Sequence, residues 1–363
     1  MGKINVLVVD DSAFMRKLIS DFLSENEQIN ICGTAKDGED ALKKIEELKP
    51  DVVTMDVEMP KLNGLDALKR IMEVHPLPVV MLASATKEGA EKTMNSIQLG
   101  AADFISKPSG SISLDLFKIK QELAEKVIAA SRISAAKLAD KPLYGKNTIK
   151  LYENYSKIEP ETFGPLLKPG RMPAADKLVC IGTSTGGPRA LQKVFSKLPG
   201  TLDAPVLVVQ HMPPGFTKSL ADRLNLLSEL CVKEAEHGEL LKKGTAYIAP
   251  GGLHLTVQQT KAGLIAVLSE APPVNGHRPS VDMLFESASM VGNCHIIAVI
   301  LTGMGSDGTK GLAAIKRKGN ASAIAESKDS AIVFGMPRTA IETGLVDSVA
   351  NIEVIAEKIK SYV

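Results

Sequence analysis

The sequence predicts an α/β protein of two doubly wound units, and three observations carry that reading. Short apolar runs alternate with longer segments of helical period from residue 4 to about 128. The alternation lapses from about 132 to 176, where proline, glycine and polar residues prevail, and resumes from 177 to 363. At 363 residues, 44% hydrophobic and 23% charged, the chain is long enough for two ordinary cores. The boundaries read as 1–128, a linker at 129–176, and 177–363.

In the first unit the strand-like runs 4–9, 29–33, 52–55, 79–82 and 103–105 make a five-stranded α/β sheet. Its charged residues follow strands: Asp10 and Asp11 after Val6-Leu7-Val8-Val9, Asp56 after Val52-Val53-Thr54-Met55, and Lys107 after Phe104-Ile105-Ser106. Three carboxylates converging on one sheet edge repel one another unless a cation joins them, and an all-oxygen donor set suits Mg2+. An aspartate can attack a phosphoryl donor, and a lysine such as Lys107 can neutralise the product. Singly, each has an ordinary role, Asp10, Asp11 and Ser12 as helix caps and Lys107 as a solvated charge. The joint pattern is rarer.

The connector holds Tyr144, Tyr152 and Tyr155, three of the five tyrosines, so part of it is expected to pack on a domain or a partner.

The second unit opens with Lys177-Leu178-Val179-Cys180-Ile181, a buried strand, and then Gly182-Thr183-Ser184-Thr185-Gly186-Gly187-Pro188. Proline suits the first turn of a helix, so Ser184 is expected at a strand-to-helix turn, beside backbone N–H groups that glycines leave uncovered. The pattern is G-x-S-x-G, although such turns more often cradle a phosphate or close a connection. A nucleophilic serine needs a base. Of six histidines, His211 alone lies just beyond an apolar run, 205–209, whereas His295 reads as a core or strand-entry residue and His75, His237, His254 and His277 are weaker candidates. The run ending at Leu301 empties into Thr302-Gly303-Met304-Gly305-Ser306-Asp307-Gly308, which makes Asp307 the orienting acid or, more plainly, the N-cap of a helix at 310–318. As parallel strands these three runs would put Ser184, His211 and Asp307 on one carboxyl edge, where open α/β sheets carry their sites. An antiparallel patch is expected at 246–249, 254–258 and 264–268.

Composition narrows the function classes. A net charge of +1, 4% aromatic residues and no tryptophan supply neither a basic field nor stacking platforms, which disfavours nucleic-acid binding. Cys32, Cys180, Cys231 and Cys294 form no close pair and suit reduced thiols. With no signal-peptide core and no run long enough to span a bilayer, a cytoplasmic protein without membrane insertion is expected.

Asp10-Asp11-Ser12, Asp56 with Met59-Pro60 and Gly64-Leu65, and Lys107-Pro108 resemble a response-regulator receiver domain of flavodoxin-like fold. The serine pentad, Gln210-His211-Met212, Gly276-His277-Arg278-Pro279-Ser280-Val281-Asp282 and residues 301–308 resemble the chemotaxis protein-glutamate methylesterases of the CheB family. The resemblance implies Asp56 as phosphoacceptor, Asp10 and Asp11 with Asp56 as Mg2+ ligands, Lys107 as the phosphate-pairing lysine, and Ser184, His211 and Asp307 as a catalytic triad without a cofactor of its own. It implies methyl-accepting chemoreceptors as substrates, a chemotaxis histidine kinase as phosphodonor, and a possible glutamine deamidase activity, because amide and ester share a tetrahedral intermediate. Thr185, Gly186 and Met304 are candidates for the oxyanion site, and Arg278 for contact with an acidic substrate or with Asp282 or a loop carbonyl. One departure stands out: Ala83 occupies the position of the usual switch hydroxyl, with Ser84 next along, while Phe104 takes that of the switch aromatic. A receiver-controlled nucleic-acid-binding regulator is the rival from another class, and it would need a basic recognition helix. A dinucleotide-binding domain is a third reading, without the G-x-G-x-x-G spacing.

Overall fold

The computed structural model describes residues 2–107, 114–133 and 176–363. The first unit runs β1 (Ile4–Val9), α1 (Ala13–Ser24), β2 (Ile29–Ala35), α2 (Gly38–Leu48), β3 (Val52–Asp56), α3 (Gly64–Val74), β4 (Val79–Ala83), α4 (Lys87–Leu99), β5 (Asp103–Ser106) and α5 (Leu114–Ala130). Its strands are parallel in the order β2-β1-β3-β4-β5. β3 and β4 are buried along their whole length, since helices cover both faces of the sheet, and this is why they read as continuous apolar runs. Ser12, Asp37, Asn63 and Thr86 start α1 to α4 by accepting a backbone N–H of the first turn. The connector expected at 129–176, with Tyr144, Tyr152 and Tyr155, lies almost wholly outside the described residues.

The second unit continues with β6 (Lys177–Thr183), α6 (Gly187–Phe195), β7 (Val206–Gln210), α7 (Phe216–Leu227), β8 (Cys231–Glu234), β9 (Thr245–Ile248), β10 (His254–Thr260), β11 (Gly263–Ser269) and α8 (Val281–Ser289). It ends with β12 (His295–Ile300), α9 (Thr309–Arg317), β13 (Ala321–Glu326), α10 (Met336–Glu342), β14 (Ser348–Ala350) and α11 (Ile352–Tyr362). The seven-stranded sheet is parallel throughout, in the order β14-β13-β12-β6-β7-β9-β8. From β6 the chain steps to β7 on one side and later returns to β12 on the other, so the winding reverses at β6 and a crevice opens at the carboxyl ends of β6, β7 and β12.

One expectation fails. Residues 246–249 are not part of the antiparallel patch, because β9 lies inside the main sheet, parallel to β7 and β8. Ala246, Tyr247 and Ile248 are buried on both faces, and Pro250-Gly251 leads the chain off the sheet. The antiparallel pair is β10 and β11 alone, in register from His254 with Ser269 to Thr260 with Gly263.

The two units share a packed apolar interface. Met94 and Ile97 of α4 and Phe104 of β5 belong to the same buried cluster as Phe216 and Leu220 of α7. The rings of Phe104 and Phe216 stack with centroids 4.8 Å apart.

Candidate active site

Ser184 is the first residue after β6, and the turn it opens leads into α6 at Gly187. Its N–H donates to Thr302 O at 3.0 Å, and its carbonyl accepts from Gln210 Nε2 at 2.9 Å and Gly187 N–H at 2.8 Å. Thr183 Oγ1 adds a bond to Thr302 O at 2.8 Å, so the ends of β6 and β12 are laced together under the serine. Gly186 caps the helix at φ 78°, a left-handed conformation that favours glycine. Gly303 lies directly beneath: a Cβ there would come within 2.9 Å of Ser184 Cβ and 2.3 Å of Met336 Sδ. Gly187 N–H is committed to Ser184 O, whereas among the described residues the N–H groups of Thr185 and Met304 donate to no backbone carbonyl.

His211 follows β7, its own N–H bonded to Thr183 O at 3.1 Å. Its Nε2 lies 2.8 Å from Asp307 Oδ2, and both side chains are nearly sealed from solvent. An ionised carboxylate only accepts, so Nε2 carries a proton toward Asp307, and Nδ1 is the ring nitrogen left for another partner. Nδ1 is buried and has no hydrogen-bond partner among the described residues. No hydrogen bond joins it to Ser184 Oγ, a contact that apo enzymes often leave open.

Asp307 is not the N-cap of α9, a place taken by Gly308. It accepts instead at the start of a different helix: Oδ2 from Val281 N–H at 2.7 Å, and Oδ1 from Ser280 Oγ at 2.8 Å, Asp282 N–H at 3.1 Å and Asn275 Nδ2 at 3.3 Å. Burial opposes its ionisation, but the His211 bond and charge together with the α8 amides prevail and hold its carboxyl well below the usual carboxylate range. Asp282, two residues into α8, goes the other way: burial, reinforced by Asp307, raises it, although it accepts from Gly311 N–H at 2.8 Å and Asn275 Nδ2 at 2.9 Å. Ser280 caps α8 through Met283 N–H as well.

His277, weak on sequence grounds, stacks on His211 with centroids 3.8 Å apart and planes 11° from parallel. The signal available was the Asn275-Gly276 pair, a tight-turn signature that fixes where the following residue goes. Arg278 Nη1 donates to the carbonyls of Glu270 and Ala271, at 2.8 and 3.2 Å, straps of its own loop. His295 enters β12 and bonds Asn320 and Ser322. Burial raises the thiols of Cys180 and Cys294, the latter to about 12, which keeps them protonated.

A second site lies on the edge of the first sheet. One oxygen each of Asp10, Asp11 and Asp56 falls within 4.8 Å of the others, a hard-oxygen set that fits Mg2+. Lys107 Nζ bridges Asp10 Oδ2 at 2.8 Å and Asp56 Oδ2 at 2.7 Å. Burial raises the Asp56 carboxyl against the pull of Lys107, and the two carboxylates outweigh burial in holding Lys107 charged. The cleft, of about 300 Å3, is lined by Asp11, Asp56, Glu58, Ser84 and Lys107 among others. Gly64 is needed beside it, since a Cβ would lie 2.0 Å from Asp56 O. β4 ends at Ala83, and the Ser84 hydroxyl pairs with Thr86 Oγ1 at 3.0 Å.

Two family models match the chain, the response regulator receiver domain over residues 6–116 and the CheB methylesterase over 179–359. A protein-glutamate methylesterase/protein-glutamine glutaminase of Geobacillus kaustophilus is 54% identical over 99% of this chain and 98% of its own length. Proteins of the same description from Bacillus subtilis and Pyrococcus horikoshii are 53% and 42% identical, covering 99% and 98% of this chain and 98% and 93% of theirs. Among solved structures, the Thermotoga maritima CheB methylesterase catalytic domain is 49% identical with a TM-score of 0.50, covering 52% of this chain and 98% of that domain. Full-length likeness of this kind, together with a receiver ahead of a methylesterase, places the chain in the CheB family of response-regulator methylesterases.

Proposed function

We propose that the enzyme hydrolyses methyl esters of glutamate side chains on the cytoplasmic helices of methyl-accepting chemoreceptors, and deamidates glutamines at such sites, as part of chemotactic adaptation. The observation that carries this is the His211–Asp307 pair, with Nε2 bound to a carboxylate and a buried, free Nδ1 at the β6 and β7 ends where Ser184 turns. In this reading Nδ1 takes the Ser184 proton, Ser184 Oγ attacks the ester carbonyl, and the same nitrogen returns the proton to the departing methoxide. Asp307 holds the tautomer and stabilises the imidazolium. The uncommitted N–H groups of Thr185 and Met304 receive the oxyanion, with Gly186 shaping the turn. Water then releases the glutamate and restores Ser184. Arg278 keeps its loop in place more than it meets substrate, given its carbonyl partners.

The receiver is assigned to 1–128, the linker to 129–176 and the esterase to 177–363. Asp56 is the phosphoacceptor, a chemotaxis histidine kinase the donor, and Asp10, Asp11 and Asp56 would hold Mg2+, which when bound neutralises phosphoryl oxygens. Lys107 would exchange its carboxylate partners for the phosphoryl group. The Phe104–Phe216 stack supports control by docking, since it joins the receiver to the helix that follows the His211 loop. The protein is assigned to the cytoplasm without membrane insertion; among the described residues no helix is long and apolar enough to cross a membrane. A nucleic-acid-binding role is not favoured. Methanol release from methylated receptor membranes tests the reading. Ser184→Ala is expected to lower it by about four to six orders of magnitude in a folded protein, and survival of the wild-type rate would remove the serine from the mechanism.

A further inference from the structure

Beside the proposed triad lies a four-residue turn that the reaction leaves without a task. Residues 274–277 are closed by two hydrogen bonds, Val274 N–H to His277 O at 3.0 Å and His277 N–H to Val274 O at 2.9 Å. Asn275 and Gly276 both have positive φ, 52° and 81°, the two-residue turn for which Asn-Gly is the favoured pair. Two of its side chains reach one place. Asn275 Nδ2 donates to Asp307 Oδ1 at 3.3 Å and Asp282 Oδ2 at 2.9 Å, and the His277 ring stacks on His211.

The bond from His211 Nε2 to Asp307 fixes one point of the imidazole, and the ring torsion of histidine is intrinsically broad. The ring can therefore pivot about that bond and carry Nδ1 away from the serine. A parallel ring 3.8 Å away removes the pivot. We infer that the 274–277 turn is a positioning device for the triad: His277 clamps the plane of His211, and Asn275 ties the turn to Asp307. The inference rests on the triad reading above. His277 serves as a neutral face, because burial and the neighbouring His211 push its pKa down to about 4. The titratable groups that face it are His211 and Asp307 from its own unit and Glu122 and Lys126 from α5. A neutral aromatic face also favours the imidazolium that forms as His211 takes the serine proton.

The test compares His277→Phe, His277→Ala and Asn275→Ala in the full chain, with Ser184→Ala alongside, by methanol release from methylated receptor membranes and by the imidazole 15N signals of His211. His277→Phe keeps a flat neighbour and is expected to hold kcat within about threefold, while His277→Ala loses about ten- to a hundredfold in kcat with KM nearly unchanged. Asn275→Ala is expected to shift the His211 signals and lower kcat in the same sense. Full kcat in folded His277→Ala, or Phe and Ala variants equally slow, overturns the inference. If His277→Ala does not fold, Asn275→Ala at its exposed position decides, and unchanged His211 signals there overturn it. An active Ser184→Ala removes the triad reading itself, whereas an inactive Ser184→Ala beside an unaffected His277→Ala removes only the clamp.

Discussion

Replacing Asp307 by asparagine separates the charge of this residue from its hydrogen bonds, and the geometry says which will be lost. The carboxylate takes His211 Nε2 and Val281 N–H on Oδ2, and Ser280 Oγ, Asp282 N–H and Asn275 Nδ2 on Oδ1. An asparagine accepts on one side only. With its oxygen at the Oδ2 position it keeps His211 and Val281, leaves the Asp282 N–H orphaned, and lets the rotatable Ser280 hydroxyl turn; the opposite flip confronts both His211 and Val281 with an N–H2 group. The first orientation is favoured, so His211 retains its tautomer and Nδ1 remains a base. What goes is the charge opposite the imidazolium. At 2.8 Å and an effective dielectric constant of about 20 the bare attraction is about 6 kcal/mol, and a neutral hydrogen bond recovers roughly half of such a charge-assisted one. About 3 kcal/mol of transition-state stabilisation is then lost, or about two orders of magnitude in kcat. Folding stability should fall by about 1–3 kcal/mol for the orphaned α8 amide. Methanol release from methylated receptor membranes and urea unfolding measure the two effects. A folded Asp307→Asn protein as inactive as His211→Ala would contradict this orientation, since it would mean that the amide presents its N–H2 group to the imidazole.

Phosphate incorporation from a small phosphodonor should require Mg2+ and vanish in Asp56→Asn, because the acyl phosphate needs that carboxylate; equal incorporation by variant and wild type would remove Asp56 from the role. Deleting residues 1–130 should raise basal esterase activity, and phosphorylated full-length enzyme should approach that level. A hundredfold activation needs only about 2.7 kcal/mol of preference for the undocked state, and a truncated, folded enzyme no faster than the unphosphorylated whole would point to substrate recruitment instead. Acid stability should carry the mark of His277, whose pKa is ordinarily 6.5 and is pushed down to about 4 in the fold. Between those values the unfolded chain binds the proton and the folded one does not. Stability should therefore fall as the pH drops through that window, by at most about 3 kcal/mol, and urea midpoints of His277→Phe should lack that slope.

Much of the architecture was legible because local chemistry and tertiary position agree. Val6-Leu7-Val8-Val9 and Pro205 to Val209 are apolar throughout since helices cover both faces of a parallel sheet, and such a strand announces itself without its neighbours. The residues after those runs, Asp10, Asp56, Ser184, His211 and Asp307, were readable as edge residues for the same reason, because parallel strands all end on one side. Residues 246–249 were expected in the antiparallel patch because a short apolar run has no direction of its own, and only pairing with β7 and β8 shows it to be a parallel strand of the main sheet.

The order of strands and helices, and the set of polar residues delivered to each sheet edge, thus follow from local sequence alone. Pairing across distance was left to the tertiary structure. Asp307 reads as the cap of the helix next to it, yet it serves the amides of α8, some 25 residues upstream. Which His211 nitrogen meets Asp307, that His277 rather than another histidine lies on the ring, and that Phe104 meets Phe216 are likewise outcomes of packing. Period and turn chemistry act over a few residues, whereas the free energy of burying a carboxylate depends on every donor the fold brings to it, and those donors come from segments that no local pattern connects.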